Sequence, residues 1–480
     1  MADPRDVATD RLTTADEKGK RVWIYPSEVS GKFRLSRNIL IGILVFVFLI
    51  TPWIRIGENP LILLDIPNRK FSIFGILFWA HDAPMLFFVF GGIALSLFFV
   101  TAIWGRVWCG WACPQTVFVD GVFRKIEAWV EGKALQRQRL DQGPLTGEKI
   151  QKKLTKWFLY LLVSLVISHS FIAYFVGTSE LALMIRTSPY QNPTSFMIMA
   201  FITVVILLDF GWFREQFCII ACPYGRFQSV LMDVNSMVVA YDKVRGEPRK
   251  NKDVVGQKDG DCVNCFKCVR VCPTGIDIRN GVQMECIACT ACIDACDDVM
   301  VNMGRQPGLI RYASDAMSKT RFEKPFEPRL GVRAILYSCV LLLFVIGLTY
   351  SVKTHEMVEA MFVRAIGSPY SETKREDGTV EVFNLFRLDL HNQSFGPLKV
   401  ELKISEEWIK KGVQIVRSEF SDELKAGVRE RSNVFVKFPK SAIAAGHAIL
   451  PITVMGRQMT LHEGEKLISF ERELHLVGPF

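Results

Sequence analysis

Five stretches of this 480-residue chain are apolar over roughly the length of a bilayer crossing, at about 38–57, 84–104, 156–177, 195–213 and 332–351. A helix advances ~1.5 Å per residue and must cross a hydrocarbon layer ~30 Å thick, so ~20 such residues suffice. The pattern predicts a bundle of five transmembrane helices. Beyond the fifth stretch the period changes. VEVFNLFRLDLHNQ (380–393), LKVELKI (398–404), VQIVRSEF (413–420), NVFVKFPK (433–440), AILPITVMG (448–456) and LISFERELHLVG (467–478) alternate apolar and polar positions and are separated by turn-forming residues. Alternation places one face of each strand in a core, and short strands at this spacing predict an antiparallel sandwich of immunoglobulin type.

Charge orients the helices. Half of the residues are hydrophobic and the formal charge is +9, a combination that suits a multi-pass membrane protein with basic cytoplasmic segments and excludes nucleic acid as the natural partner. Residues 1–37 are polar and charged, so nothing there resembles a cleavable leader and the first span is expected to stay in place. Lys and Arg crowd that tail, the segment 106–153 and the segment 214–330, whereas 178–194 holds only Arg186. The positive-inside rule then puts the N-terminus in the cytoplasm and the last ~129 residues outside. The expected organisation is a cytoplasmic tail (1–37), a four-span membrane domain (38–230), a cytoplasmic module (231–331), a fifth span (332–351) and an exported β domain (352–480).

The cytoplasmic module is identified by cysteines. DCVNCFKCVRVCPTG carries Cys262, Cys265, Cys268 and Cys272, and ECIACTACIDACDD carries Cys286, Cys289, Cys292 and Cys296 with the same spacing, Asp297 standing where proline is usual. In such runs three closely spaced thiolates bind one [4Fe-4S] cube and the fourth reaches the neighbouring cube. Cys262, Cys265, Cys268 and Cys296 are therefore expected to hold one cluster, and Cys286, Cys289, Cys292 and Cys272 the other. Disulfides do not suit a reducing compartment, and zinc ribbons use pairs of CxxC. The β domain contains no cysteine, which leaves docking or scaffolding as its expected role.

Two further pairs end apolar stretches: Cys109 and Cys113 in RVWCGWACPQ, and Cys218 and Cys222 in REQFCIIACPYGRFQ. Residues four apart share a helix face, and Pro114 and Pro223 tend to end a helix. Each pair reads as a clamp, and the segments repeat a unit of span, basic residue (Arg106 or Arg214) and CxxxCP.

The polar tail, WCGWACPQ, FCIIACPYGRFQ, the double ferredoxin motif, CDDVM, GLIRYAS (308–314), a fifth span and a terminal β domain together resemble the cytochrome c oxidase accessory family called CcoG, FixG or RdxA. The resemblance implies a multi-pass protein of the bacterial inner membrane that assembles cbb3-type oxidase and, as a cupric reductase, delivers Cu(I). It implies copper ions and copper chaperones or transporters as partners. Cys109, Cys113, Cys218 and Cys222 then either bind copper, since soft thiolates select Cu(I), or hold a third iron-sulfur cluster, or merely pack between helices. No GxGxxG loop is present, so electrons come from an unknown donor, a partner or quinol. A quinol-oxidising subunit and a non-catalytic scaffold are the alternative functions, and a homodimer remains open. Among single residues, Asp209 near the end of the fourth span is a candidate carboxylate with a helix-end alternative. His169, His81 and His355 lack ligand-spaced partners, Cys339 reads as packing, Trp104, Trp108 and Trp111 as an interfacial belt, and Tyr190–Pro193 as a turn.

Overall fold

The structure is a computed structural model that describes residues 14, 18, 20–56, 59–67, 70–74, 76–79, 83–250, 260–314, 317, 331–354, 358–374, 380–392, 397–417, 423–425, 428–443, 446–460 and 464–479. His81 and His355 lie outside the described residues. Five described helices are long and apolar enough to cross a membrane: Lys32–Trp53, Met85–Trp104, Gly147–Val176, Pro193–Phe213 and Val332–Thr354. The first starts earlier than hydropathy predicts because Arg37 is buried in an ion pair with Asp120, and its regular part stops before Pro52, which lacks a backbone donor. The third starts earlier because Thr146 caps it by accepting the Lys149 N–H at 3.2 Å.

Two compact units divide the chain. The first comprises residues 1–54 and 86–348. Its helices used below are α1 (Lys32–Ile50), α2 (Ala83–Trp104), α3 (Val107–Trp111), α4 (Pro114–Phe118), α5 (Arg124–Val130), α6 (Gly147–Val176), α7 (Pro193–Leu208), α8 (Pro223–Leu231), α9 (Ala291–Asn302) and α10 (Val332–Thr354). Without bulk, Gly91 on α2 receives Phe344 of α10, and Gly347 receives Phe88 in return, the small-residue contact expected where lipid supplies no hydrophobic drive. Ser168 of α6 and Thr203 of α7, both buried, share a 2.8 Å hydrogen bond. His169 instead turns back to the Leu165 carbonyl of its own helix at 2.7 Å. Cys339 is exposed on α10 rather than packed between helices.

In the same unit the cysteine-rich module is closed by two antiparallel strands, Met237–Tyr241 against Ile310–Ser314. GLIRYAS thus supplies a buried strand, with Leu309 and Ile310 in the module's core. Asp297 is compatible with helix where proline is not: α9 runs through it to Asn302, and its Oδ1 accepts the Gly308 N–H at 2.7 Å.

The second unit comprises residues 55–85 and 349–480. Strands β1 (Val358–Arg364), β2 (Ser371–Lys374), β3 (Val380–Asn392), β4 (Leu398–Ile404), β5 (Gln414–Arg417), β6 (Arg429–Pro439), β7 (His447–Thr460) and β8 (Gly464–Val477) form two antiparallel sheets. One has the order β5-β6-β3-β1 with β2 also on β3, and the other β4-β7-β8. Alternate residues of both, among them Val382, Leu388, Val434, Val436, Ile452 and Leu476, share one core, as the two-residue period requires. Residues 55–85 contribute a three-stranded meander, Ile62–Asp65, Lys70–Ile73 and Ile76–Trp79, between the first two expected spans, where the sequence pattern predicts no element.

Candidate electron-transfer site

Eight thiols of the cysteine-rich module line two small cavities. Cys262, Cys265, Cys268 and Cys296 line one, together with Arg279, Leu309 and Ile310. Cys272, Cys286, Cys289 and Cys292 line the other, and Cys268 reaches it as well. The last cysteine of each motif thus reaches the other motif's cavity, Cys296 the first and Cys272 the second. The local backbone explains the convergence. Asn264 and Phe266 flank Cys265, Ala288 and Thr290 flank Cys289, and all four have φ between 54° and 64°. Non-glycine residues pay strain for that left-handed region, and repetition at equivalent positions marks a loop bent to turn its sulfurs inward. The Cys286 sulfur accepts the Ala288 N–H and the Cys289 sulfur that of Ala291. Burial pushes the thiols of Cys268 and Cys286 up to about 12 and that of Cys289 to about 11, so a bound cation must displace their protons. Each cavity thus gathers the four sulfurs of one expected quartet, the donor set of a [4Fe-4S] cluster, with Cys268 lining both.

The membrane pairs come together. Besides burial, the Cys218 thiol is pushed up by Cys113, Cys109 and Cys222, and the Cys109 thiol, up to about 12, by Cys113 and Cys222. The four sulfurs therefore lie within electrostatic reach of one another. Gln228 donates from Nε2 to the Cys109 sulfur at 3.1 Å, and the Cys113 sulfur accepts the Gln115 and Thr116 N–H groups at the start of α4. Among the described residues, no three Cys, His, Asp or Glu side chains gather tightly enough around one point to hold a single metal ion.

The expectation that each pair shares a helix face is corrected. Cys109 lies in α3 and Cys218 in a π-helical turn, Phe217–Ala221, but Cys113 (ψ 129°) and Cys222 (ψ 113°) are extended residues ahead of Pro114 and Pro223. The N–H of Cys113 bonds to the Trp108 carbonyl and that of Cys222 to the Phe217 carbonyl, each at 2.8 Å. Each pair is thus clamped by a five-residue turn that proline converts into a new helix. The repeat also has a different register from the one proposed. Gly105 (φ 58°) and Arg214 (φ 54°) both take a positive φ four residues ahead of the first cysteine of their pair, so Arg106 corresponds to Glu215. The residues after the prolines cross over: Gln115 donates to Asp209 Oδ1 at 3.1 Å at the end of the fourth span, and Tyr224 shares a 2.5 Å hydrogen bond with Thr101 at the end of the second. Asp209 is thereby a helix-end carboxylate that joins the two repeats.

One repeat touches the cysteine-rich module. An added Cβ at Gly110 meets the Ile287 carbonyl oxygen at 2.4 Å and Ala288 C and Cys289 N at 2.9 Å. The loop bearing Cys286 and Cys289 therefore lies directly on the turn between Cys109 and Cys113. Arg106 extends beside it, its Nη1 3.5 Å from the Cys286 carbonyl. Buried charges brace this junction. Arg37 donates to the Gly110 carbonyl at 2.7 Å and to Asp120 at 2.6 Å; Arg124 pairs with Asp120 and Glu215 and reaches the Pro273 carbonyl at 3.3 Å; Arg214 and Arg137 pair with Glu127. Burial raises the Asp120 and Glu127 carboxyls, but Arg124 and Arg37 hold the first well below the usual carboxylate range, and Arg214 with its companions draws the second to about 2. Gly110, Gln115 and Gln228 escape a motif-based reading, because neither a glycine nor a glutamine announces itself as a thiol's neighbour.

Comparison with known proteins agrees with this chemistry. Residues 213–315 match a family described as a 4Fe-4S dicluster domain, and residues 83–134 one described as a 4Fe-4S binding domain. The chain is similar to Protein RdxA of Cereibacter sphaeroides, 38% identical over 67% of this chain and 70% of that protein. It is 39% identical to the nitrogen fixation protein FixG of Rhizobium meliloti over 62% of this chain and 58% of FixG. Protein RdxB of Cereibacter sphaeroides is 41% identical over 65% of this chain and 66% of its own length.

Proposed function

Since the chain belongs to the FixG and RdxA family of membrane-type 4Fe-4S electron-transfer proteins, we propose that it reduces Cu(II) to Cu(I) for assembly of a cbb3-type cytochrome c oxidase. In this reading Cys262, Cys265, Cys268 and Cys296 hold one [4Fe-4S] cluster, and Cys272, Cys286, Cys289 and Cys292 the other. When bound, these clusters supply one-electron chemistry, matching the single electron that separates Cu(II) from Cu(I). The observation that carries the proposal is the contact at Gly110, where the Cys286–Cys289 loop lies against the turn holding Cys109 and Cys113. The membrane thiols favour the softer Cu(I), so holding copper on sulfur makes its reduction easier. The product passes to copper chaperones or transporters on the assembly route. The membrane is the bacterial inner membrane, with the thiol groups on the cytoplasmic side and the β domain in the periplasm. The strand orders β5-β6-β3-β1 and β4-β7-β8 support reading that domain as an immunoglobulin sandwich of constant type, which pairs sheets ABED and CFG, and as a docking surface.

The test is Cu(I) formation, followed with a Cu(I)-specific chelator after chemical reduction of the purified protein, so that the natural donor is irrelevant. Substituting Cys265 and Cys289 by Ser abolishes it while membrane insertion is retained. Undiminished Cu(I) formation by that variant overturns the proposal. A second reading, a third [4Fe-4S] cluster on the membrane thiols, is favoured by the 4Fe-4S binding match to residues 83–134, whose only cysteines are Cys109 and Cys113.

A further inference from the structure

We propose that a cleft beside the second thiol group binds the head group of a lipid-soluble hydroquinone, which is the electron donor of this protein. The cleft, about 340 Å³, is lined by Arg106, Met232, Asp233, Met237, Met284 and Cys286 together with several valines. Its volume falls within the ~300–1,000 Å³ of small-molecule sites.

The position suits a donor dissolved in the bilayer. Arg106 stands two residues beyond the end of α2 at Trp104, and Met232 follows α8 directly. Arg333, in the first turn of α10, donates from Nη1 to the carbonyls of Val230 at 2.6 Å and Met232 at 3.1 Å. Ser236 donates to the Ala102 carbonyl of α2 at 2.6 Å. The cleft therefore sits where two membrane helices end. Its lining residues Val234, Val282 and Met284 are exposed, so it opens to its surroundings.

The lining chooses the ligand. Methionine sulfur packs well against aromatic rings, and valine adds apolar surface for a flat ring. Arg106 makes one long hydrogen bond, 3.5 Å to the Cys286 carbonyl, among the described residues, which leaves guanidinium donors for a quinone oxygen. Asp233 uses Oδ1 to accept the Asn235 N–H at 2.7 Å, and its Oδ2, beside Gly331, accepts no hydrogen bond among the described residues and remains for a phenolic O–H. Three thioethers also suit Cu(I), but a guanidinium in the same cleft repels a cation, and the volume far exceeds one ion. Because Cys286 lines both the cleft and the second thiol cavity, a bound ring lies against a cluster ligand. Oxidation of the hydroquinone to quinone releases two electrons and two protons. A [4Fe-4S] cluster held by Cys272, Cys286, Cys289 and Cys292 would take up the electrons one at a time, and the protons pass through Asp233 to water. The inference rests on that cluster assignment and is independent of copper.

A short-chain azidoquinone, photolysed on the full-length protein in detergent or lipid nanodiscs and mapped by peptide sequencing, tests it. Labelling is expected within 232–239 and 282–286 and is suppressed by excess decylquinone. Met284→Trp, which fills the cleft, removes the label without changing iron content, and Arg106→Gln weakens the decylquinone competition about 10-fold or more, the scale of one charge-assisted hydrogen bond. Labelling that maps elsewhere, or that survives Met284→Trp, overturns the site, as does Cu(I) binding that depends on Met232, Met237 and Met284 in a protein that takes no label. If the wild type binds the probe but makes no Cu(I) after chemical reduction, the copper reading fails and this one stands. Cu(I) formation with no labelling overturns this one alone.

Discussion

At position 110 a methyl group has nowhere to go. Its nearest neighbours would be backbone atoms of Ile287, Ala288 and Cys289, all under 3.0 Å, and backbone yields less readily than a flexible side chain. The close approach that glycine permits is what brings the second thiol group onto the membrane repeat. Gly110→Ala is expected to push the module outward at a cost of ~1–3 kcal/mol, the usual range of overpacking, and to slow Cu(I) formation in chemically reduced protein while iron content stays at the wild-type level. An unchanged rate would show that the contact is not on the electron route. None of this was visible in WCGWACPQ, where the glycine looks like any small helix residue. The eight ferredoxin cysteines were legible because ligation spacing is local, and the structure brings each predicted quartet to one cavity. Arg106 and Arg214 are out of register, three and four residues ahead of their cysteines, and the positive φ shared by Gly105 and Arg214 falls on residue types too different to suggest the alignment.

Among the elements, the two CxxxCP segments show how a correct motif can rest on the wrong local geometry. Helical spacing suggested that the thiols of each pair share a face, yet proline imposes an extended conformation on the residue before it, and Cys113 and Cys222 obey that rule. Convergence of the two pairs comes from the crossed contacts Gln115–Asp209 and Tyr224–Thr101, which link residues about 94 and 123 positions apart in sequence and lie beyond any window-based reading. With the four thiols within electrostatic reach of one another, metal content becomes decisive. Anaerobically purified protein should carry about eight irons if the membrane group takes copper and about twelve if it takes a cluster, at four per cube. Replacing Cys109, Cys113, Cys218 and Cys222 by Ser leaves iron unchanged in the first case and removes about a third of it in the second. Unchanged iron, with Cu(I) binding lost, eliminates the third cluster.

For the whole molecule the long apolar stretches were the most legible feature, since nothing but a span needs twenty apolar residues in a row, and five helices answer to them. The meander at 62–79 was missed because its strands are four residues each, too short for alternation to register. That meander shares a compact unit with residues 349–480, and this grouping bears on orientation. The meander follows the first span and the β domain follows the fifth; four helices, an even number, lie between them, so both segments leave the membrane on the same face. The basic residues crowd the segments around 106–153 and 214–330, and the positive-inside rule predicts that their face is the cytoplasmic one. A reporter that works only outside the cytoplasm is therefore expected to be active when fused after Phe480 or inserted within 66–69, and inactive when fused after Arg311. Activity at 66–69 without activity after Phe480 would break the five-span count. The reverse pattern at all three sites would put the thiol groups in an oxidising compartment, where disulfides compete with metal for cysteine, and would overturn the cytoplasmic electron route while leaving the fold intact.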